Sequence, residues 1–306
     1  MNYKIFTDSS ADLTKDIIEK YDLGTISLSY TNGTENFTYS PKDEDTVKAF
    51  YAMLRKKDNL FTSCVNTESF INAFRPTLKS GLDLLYVGFS SGLSATFNSA
   101  VEAARELRKE FPERKILCTD TLLASLGQGL MVHDICLLKE SGASIEEAYN
   151  YCENSRMNVN SIFTVKTLAN LARGGRISKL SYAIGTVVDI KPLMYVSKDG
   201  KLLAYGKVIG RKRSIFAIAD KVASTIKNPE TQTIFISHGD CIEDAELLAK
   251  LISQKITVKG FVYNYVDPII AVHSGPDTLA VFYRGLTREE TPLAQSRSAV
   301  LAKNPL

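Results

Sequence analysis

The chain has 306 residues, 44% of them hydrophobic and 23% charged, the balance of a globular protein long enough for two ordinary domains. Its 37 basic and 34 acidic residues leave a formal charge of +3, too weak a field to gather nucleic acid or an anionic membrane. No run approaches the roughly 18 apolar residues of a membrane span, so neither a nucleic-acid partner nor an integral membrane segment is expected.

The N-terminal stretch MNYKIFTDSSADL enters a short apolar strand directly and lacks the long apolar core of a signal peptide. Strands are expected at Tyr3–Thr7, Thr25–Tyr30, Leu82–Gly88 and Lys115–Thr119. Between them, Val47, Phe50, Tyr51 and Leu54 recur at helical spacing, as do Ala100, Ala103, Ala104, Leu107 and Phe111. Strands alternating with amphipathic helices predict an α/β first domain with a largely parallel sheet over residues 1–160. From about Ser161 the texture changes. A short helix breaks at Gly174-Gly175, and the β-type runs Ile190–Val196 and Leu202–Ile209 flank Lys198-Asp199-Gly200, a hairpin signal. A helix carrying Ile215, Ile218, Ala219, Val222 and Ile226 on one face follows, then a strand at Thr233–Ser237 and a helix from Glu243 to about Ser253. Strands near Phe261–Tyr265 and Ile269–His273 complete a mixed α/β second domain, 161–285. Residues 286–306, with Pro292, Pro305 and little apolar periodicity, read as a loosely held tail.

The five cysteines (Cys64, Cys118, Cys136, Cys152, Cys241) are scattered, odd in number and without a CxxC pair. Reduced thiols in the cytoplasm follow, rather than a disulfide frame or a zinc site. No two of the three histidines stand at metal-ligand spacing, so no metal is expected, and nothing calls for a cofactor.

Four places carry candidate chemistry. Gly88-Phe89-Ser90-Ser91-Gly92-Leu93-Ser94-Ala95-Thr96 joins a strand to a helix, where unpaired N–H groups and hydroxyls suit an anion, although Ser94 also fits an ordinary cap. Thr62-Ser63 is a second hydroxyl group, and in a parallel sheet the loops at the strands' carboxyl ends gather on one edge, so Thr62 and Ser94 are expected to converge. Ala271-Val272-His273-Ser274-Gly275-Pro276 reads as a buried strand delivering His273 to a Gly-Pro turn. In Arg173-Gly174-Gly175-Arg176-Ile177-Ser178-Lys179 the glycines read as a helix stop; three cations beside it, with Arg211-Lys212-Arg213, read either as a basic rim for an anionic ligand or as a solvated surface.

The stretch Gly88-Phe89-Ser90-Ser91-Gly92 also matches G-x-S-x-G, and the order Ser90, Asp240 or Asp244, His273 permits a serine hydrolase. No glycine-rich oxyanion segment precedes Ser90, so a non-catalytic binder is the preferred reading. No G-x-x-x-x-G-K-[ST] loop of a small-molecule kinase occurs.

Taken in order, Asp8-Ser9-Ser10-Ala11-Asp12-Leu13, Thr62-Ser63, Ser90-Ser91-Gly92-Leu93-Ser94-Ala95-Thr96, Gly174-Gly175-Arg176-Ile177 and His273-Ser274-Gly275-Pro276 resemble the DegV family of bacterial fatty-acid-binding proteins, to about Tyr283. The sequence departs from the usual pattern at Cys64-Val65-Asn66-Thr67, at Ala95 and at Asp277-Thr278. The resemblance implies a two-domain α/β protein with a long-chain fatty acid buried between its domains. By the same resemblance, the carboxylate-binding threonine and serine fall on Thr62 and Ser94; the adjoining hydroxyls Ser63 and Ser91 are accessory or partner candidates. The accessory or partner residues fall on Arg176, Arg211 and His273. Some family members serve as the acyl carrier of a fatty acid kinase, which implies an ATP-binding kinase subunit as partner.

Overall fold

The computed structural model describes residues 2–39, 44–56, 59–177 and 189–288. By its contacts the chain parts into two units, Met1–Arg156 with Asp267–Val272, and Met157–Val266 with His273–Leu306.

The first unit is built on a parallel sheet of β1 (Tyr3–Asp8), β2 (Gly24–Ile26), β6 (Asp83–Gly88) and β7 (Ile116–Asp120), in the order β2-β1-β6-β7. Parallel strands need helical crossovers, and α1 (Lys15–Lys20), α2 (Glu44–Arg55), α3 (Thr67–Lys79), α4 (Thr96–Glu110), α5 (Leu126–Glu140) and α6 (Ile145–Ser155) belong to this unit. Each start has a local cause where the sequence supplies a cap. Asn66 accepts the Ser69 N–H at 2.8 Å, and Ser144 with Glu147 forms a capping box. Phe6, Phe70, Phe74 and Tyr86 interlock as an aromatic core, with ring centroids 5.1 Å apart for both Phe6–Phe74 and Phe70–Tyr86.

The run Thr25–Tyr30, expected as one strand, is two. Gly24–Ile26 pairs with β1, whereas β3 (Ser29–Thr31) joins a separate antiparallel sheet between β4 (Asn36–Thr38) and β5 (Phe61–Ser63). The break falls where Leu28 N–H leaves any ladder and donates to Ser9 Oγ at 3.0 Å, a contact no local pattern announces.

The second unit carries a mixed six-stranded sheet of β8 (Val159–Thr164), β9 (Ile190–Val196), β10 (Leu202–Ile209), β11 (Thr233–His238), β12 (Gly260–Tyr265) and β13 (Leu279–Arg284), in the order β10-β9-β8-β13-β11-β12. The expected hairpin is present, turning at Gly200 with φ +68° and closed by Ser197 N–H to Lys201 C=O at 2.8 Å. Helices α8 (Arg211–Thr225) and α9 (Ile242–Ser253) pack together, and Ile215, Ile218, Val222, Leu248 and Ile252 share a core with Ile234 and Val281 of the sheet. The α/β class with a parallel first sheet and a mixed second one is as the sequence predicts.

The expected strand Ile269–His273 is instead a helix, α10 (Pro268–Ser274). Asp267 nucleates it: its carboxylate accepts Ile270 N–H at 2.6 Å and its carbonyl accepts Ala271 N–H at 2.9 Å. Pro268 stands at the first helical position, where a missing N–H costs nothing. Of the tail expected to be loose, Leu286–Arg288 is held: Leu286 N–H donates to Thr225 C=O, Arg288 N–H to Met157 C=O, and the buried Arg288 guanidinium to Ser197 C=O. The remainder of that tail, and Ser178 and Lys179 of the basic rim, lie outside the described residues.

Candidate functional site

In the first unit the two hydroxyl loops meet through a third residue. Ser94 follows β6 and accepts Thr96 N–H on its Oγ at 3.2 Å, while the two hydroxyls stand 2.9 Å apart. Buried Thr96 Oγ1 in turn accepts Val65 N–H at 3.4 Å, three residues beyond Thr62. Thr62 itself is the half-buried middle residue of β5, paired with Tyr30, so it sits in the small antiparallel sheet and not at an end of the parallel one. Ser63 and Ser91 are exposed. The backbone N–H of Ser91 is already taken by the Asp120 carboxylate at 3.2 Å, so the loop's donors are not all open to a ligand. Ser90 is buried, with its Oγ accepting Gly92 N–H at 3.2 Å.

The serine loop is held from below by a carboxylate. Asp8 Oδ2 accepts Phe89 N–H at 3.1 Å, Tyr86 O–H at 2.6 Å and Gln128 Nε2–H at 3.1 Å. Burial raises the Asp8 carboxyl above its ordinary value, against hydrogen bonds from Ser10, Tyr86, Phe89 and Gln128 that favour the charged form. Asp12 and Asp267 lie buried in the same unit; Asp12 Oδ1 accepts Asp267 N–H at 3.2 Å. Among the described residues Asp267 Oδ2 has no hydrogen-bond partner of good geometry, and burial, followed by the Asp8 charge, pushes its carboxyl up to about 8 against the backbone N–H groups of Ile270 and Ile269. Asp12 is raised too, by burial first and then by Asp267.

In the second unit the structure brings together His273, at the end of α10, and the turn after α7 (Ala169–Arg173). Burial lowers the half-buried imidazole to about 4, and the Arg176 and Arg173 guanidiniums press the same way. Arg176, itself lowered by burial, donates from Nη1 to Gly174 C=O. Arg211 opens α8 and is engaged elsewhere: Nε donates to Asp244 Oδ2 at 2.8 Å and Nη2 to Cys241 Sγ at 3.6 Å. His238, not singled out from the sequence, is buried against Tyr265 with ring centroids 4.4 Å apart, and its Nδ1 accepts Cys241 N–H. Among the described residues no group of three or more His, Cys, Asp or Glu side chains could hold a metal, and no helix is long and apolar enough to cross a membrane.

Sequence reasoning missed Asp8 and Thr96 as site-forming residues. Both stood in quoted motifs, and a Ser-x-Thr pair before a helix is a local signal for Thr96; nothing local points from Asp8 to Phe89.

The fold and these side chains define a two-unit α/β protein of a recurrent architecture. The profile described as "Uncharacterised protein, DegV family" matches residues 2–285, and the chain belongs to the DegV family. It is 41% identical over 287 residues to the DegV domain-containing protein CPE0026 of Clostridium perfringens, covering 94% of this chain and 99% of that one. Among solved structures, a DegV lipid binding protein from Thermotoga maritima matches with TM-score 0.82 and 26% identity, over 94% of this chain and 100% of that one. A DegV family protein from Thermus thermophilus, described by its fatty acid binding, matches with TM-score 0.81, also at 26% identity and over 94% and 100% of the two chains.

Proposed function

We propose that this chain binds a long-chain fatty acid without transforming it, fixing the carboxylate with the Thr62 and Ser94 hydroxyls and burying the acyl tail. The observation that carries the reading is the Ser94–Thr96–Val65 relay, which ties the serine loop to the Thr62 segment. Support also comes from the Thermotoga and Thermus relatives, whose descriptions name lipid and fatty acid binding. Physically, a buried carboxylate is costly unless hydrogen bonds replace its water, and bonds to a charged group contribute about 1.5–3 kcal/mol each. About fifteen buried methylenes supply on the order of 12 kcal/mol gross, less the cost of association. The tail therefore sets affinity and the hydroxyls set orientation.

In the fuller form of the proposal the protein works in the cytoplasm and presents its acid to an ATP-binding kinase subunit, with Ser63, Ser91, Arg176, Arg211 and His273 as accessory or partner-facing residues. Titration with a fluorescent fatty acid tests the core of it. Thr62→Ala and Ser94→Ala are each expected to weaken binding by roughly ten- to a hundredfold with the fold intact, and the double variant by less than the product. Unchanged affinity in both single variants removes these residues from the site.

A further inference from the structure

The two glycines after α7 have different jobs. Gly175 holds a left-handed φ of +72°, the conformation that ends a helix, and a Cβ there would meet nothing within 4 Å among the described residues. Gly174 has φ −73°, which any residue adopts, so the backbone gives no reason for glycine. Its reason is spatial. A Cβ on Gly174 would lie 2.2 Å from His273 Nδ1 and 3.1 Å from Cε1, so the imidazole fills the volume a side chain would take.

The converse holds one turn earlier. Asn170 Nδ2 lies 2.3 Å from where a Cβ on Gly275 would stand, and Gly275 itself has φ +85°. Asn170 and Gly174 are four residues apart and share one helix face. They meet His273 and Gly275 at the end of α10, and each segment offers a bare glycine to the other's polar side chain.

We propose that Gly174 and Asn170 are positioning residues for His273: the reciprocal glycine seats fix the imidazole against the α7 backbone and so set the direction in which its ring nitrogens meet the ligand. The inference rests on the reading that His273 belongs to the lipid site. Direction matters for this ring because it is neutral at pH 7, with one nitrogen donating and the other accepting. The charged groups set against it are Arg176 and Arg173. Lys166 and Asp277, in the neighbouring loops, pair with each other at 3.1 Å.

The test is an NMR titration of the full chain without lipid. Its three histidines give one signal each, so His133 and His238 serve as internal references. Wild-type His273 is expected to titrate near pH 4. In Gly174→Ala the displaced ring gains water, and its midpoint should rise by about one unit or more. Asn170→Ala should raise it by less, and Gly175→Ala should cost stability without moving it. An unshifted His273 in folded Gly174→Ala overturns the proposal, as does an equal shift in Gly175→Ala, which would mark general loosening. If Gly174→Ala does not fold, Asn170→Ala decides, and an unshifted midpoint there overturns it. Fatty-acid affinity is read on the same wild-type sample: failure to bind sinks the lipid reading and leaves the histidine result standing.

Discussion

In the first unit the carboxylates of Asp8, Asp12 and Asp267 are buried, whereas the second gathers Arg173 and Arg176 around a half-buried histidine. Both face the same desolvation cost and answer it differently. Asp8 meets it with five hydrogen bonds, counting Ser10 N–H and O–H on Oδ1 with the three on Oδ2. Asp267 and His273 are pushed toward their neutral forms, upward for the acid and downward for the base. Burial moves Asp8 toward its neutral form as well, and what sets it apart is the five hydrogen bonds, which favour the charged form and tie it to the strands and loop around it.

Removing the scaffold carboxylate should have the largest effect. Asp8→Ala leaves Tyr86 Oη, Phe89 N–H and Gln128 Nε2 without their shared acceptor, at an expected cost of about 3 kcal/mol or more by chemical denaturation. A loss under about 1 kcal/mol would mean that Asp8 is not the support described here.

The proton-sensitive side predicts a pH dependence of definite sign. Unfolded, Asp267 ionises near 3.8; folded, it holds its proton to about 8, so between these values the folded state binds more protons and stability falls as pH rises. One such group contributes a slope of at most about 1.4 kcal/mol per pH unit inside the window; the loss of stability has not begun below it and is complete above it. Wild type should denature at lower urea at pH 8 than at pH 6.5, a comparison that lies above the range from about 4 to 6.5 in which His273 acts with the opposite sign. Asp267→Asn, which keeps a capping oxygen for Ile270 N–H, should flatten that slope. Equal midpoints at both pH values in wild type would break the contrast with Asp8.

The smallest effect on affinity is expected at the cations. Arg176→Ala and Arg211→Ala should keep fatty-acid affinity within about twofold, because tail burial holds the ligand, yet slow acyl-phosphate formation when the kinase subunit and ATP are added. Normal turnover in both variants removes the partner role. Lost lipid binding would move these arginines to the carboxylate.

Much of this was legible before the structure, for reasons particular residues make plain. Tyr3–Asp8, Asp83–Gly88 and the hairpin around Gly200 announce themselves by apolar runs bounded by turn residues. Pro268–Ser274 does not: a short apolar run has no readable period, and its helical state hangs on the single Asp267 cap. The strand Leu279–Arg284, equally apolar, went unassigned for the same reason. Thr62 and Ser94 were readable as hydroxyls near elements, but what joins them was not. Val65 reaches Thr96 across 31 positions and Phe89 reaches Asp8 across 81, and sequence pattern carries no distance of that kind.

The last strand, Leu279–Arg284, lies in the interior of its sheet, between Val159–Thr164 and Thr233–His238. The first unit likewise completes itself with Asp267–Val272, whose Asp267 N–H docks on Asp12 some 255 positions earlier. Neither unit can close while its C-terminal pieces are still in the ribosome. Both closures therefore wait on contacts of very high sequence separation, a feature that goes with slow folding. Until residue 284 emerges, the strand edges of Val159–Thr164 and Thr233–His238 that Leu279–Arg284 fills are open to pairing with other chains.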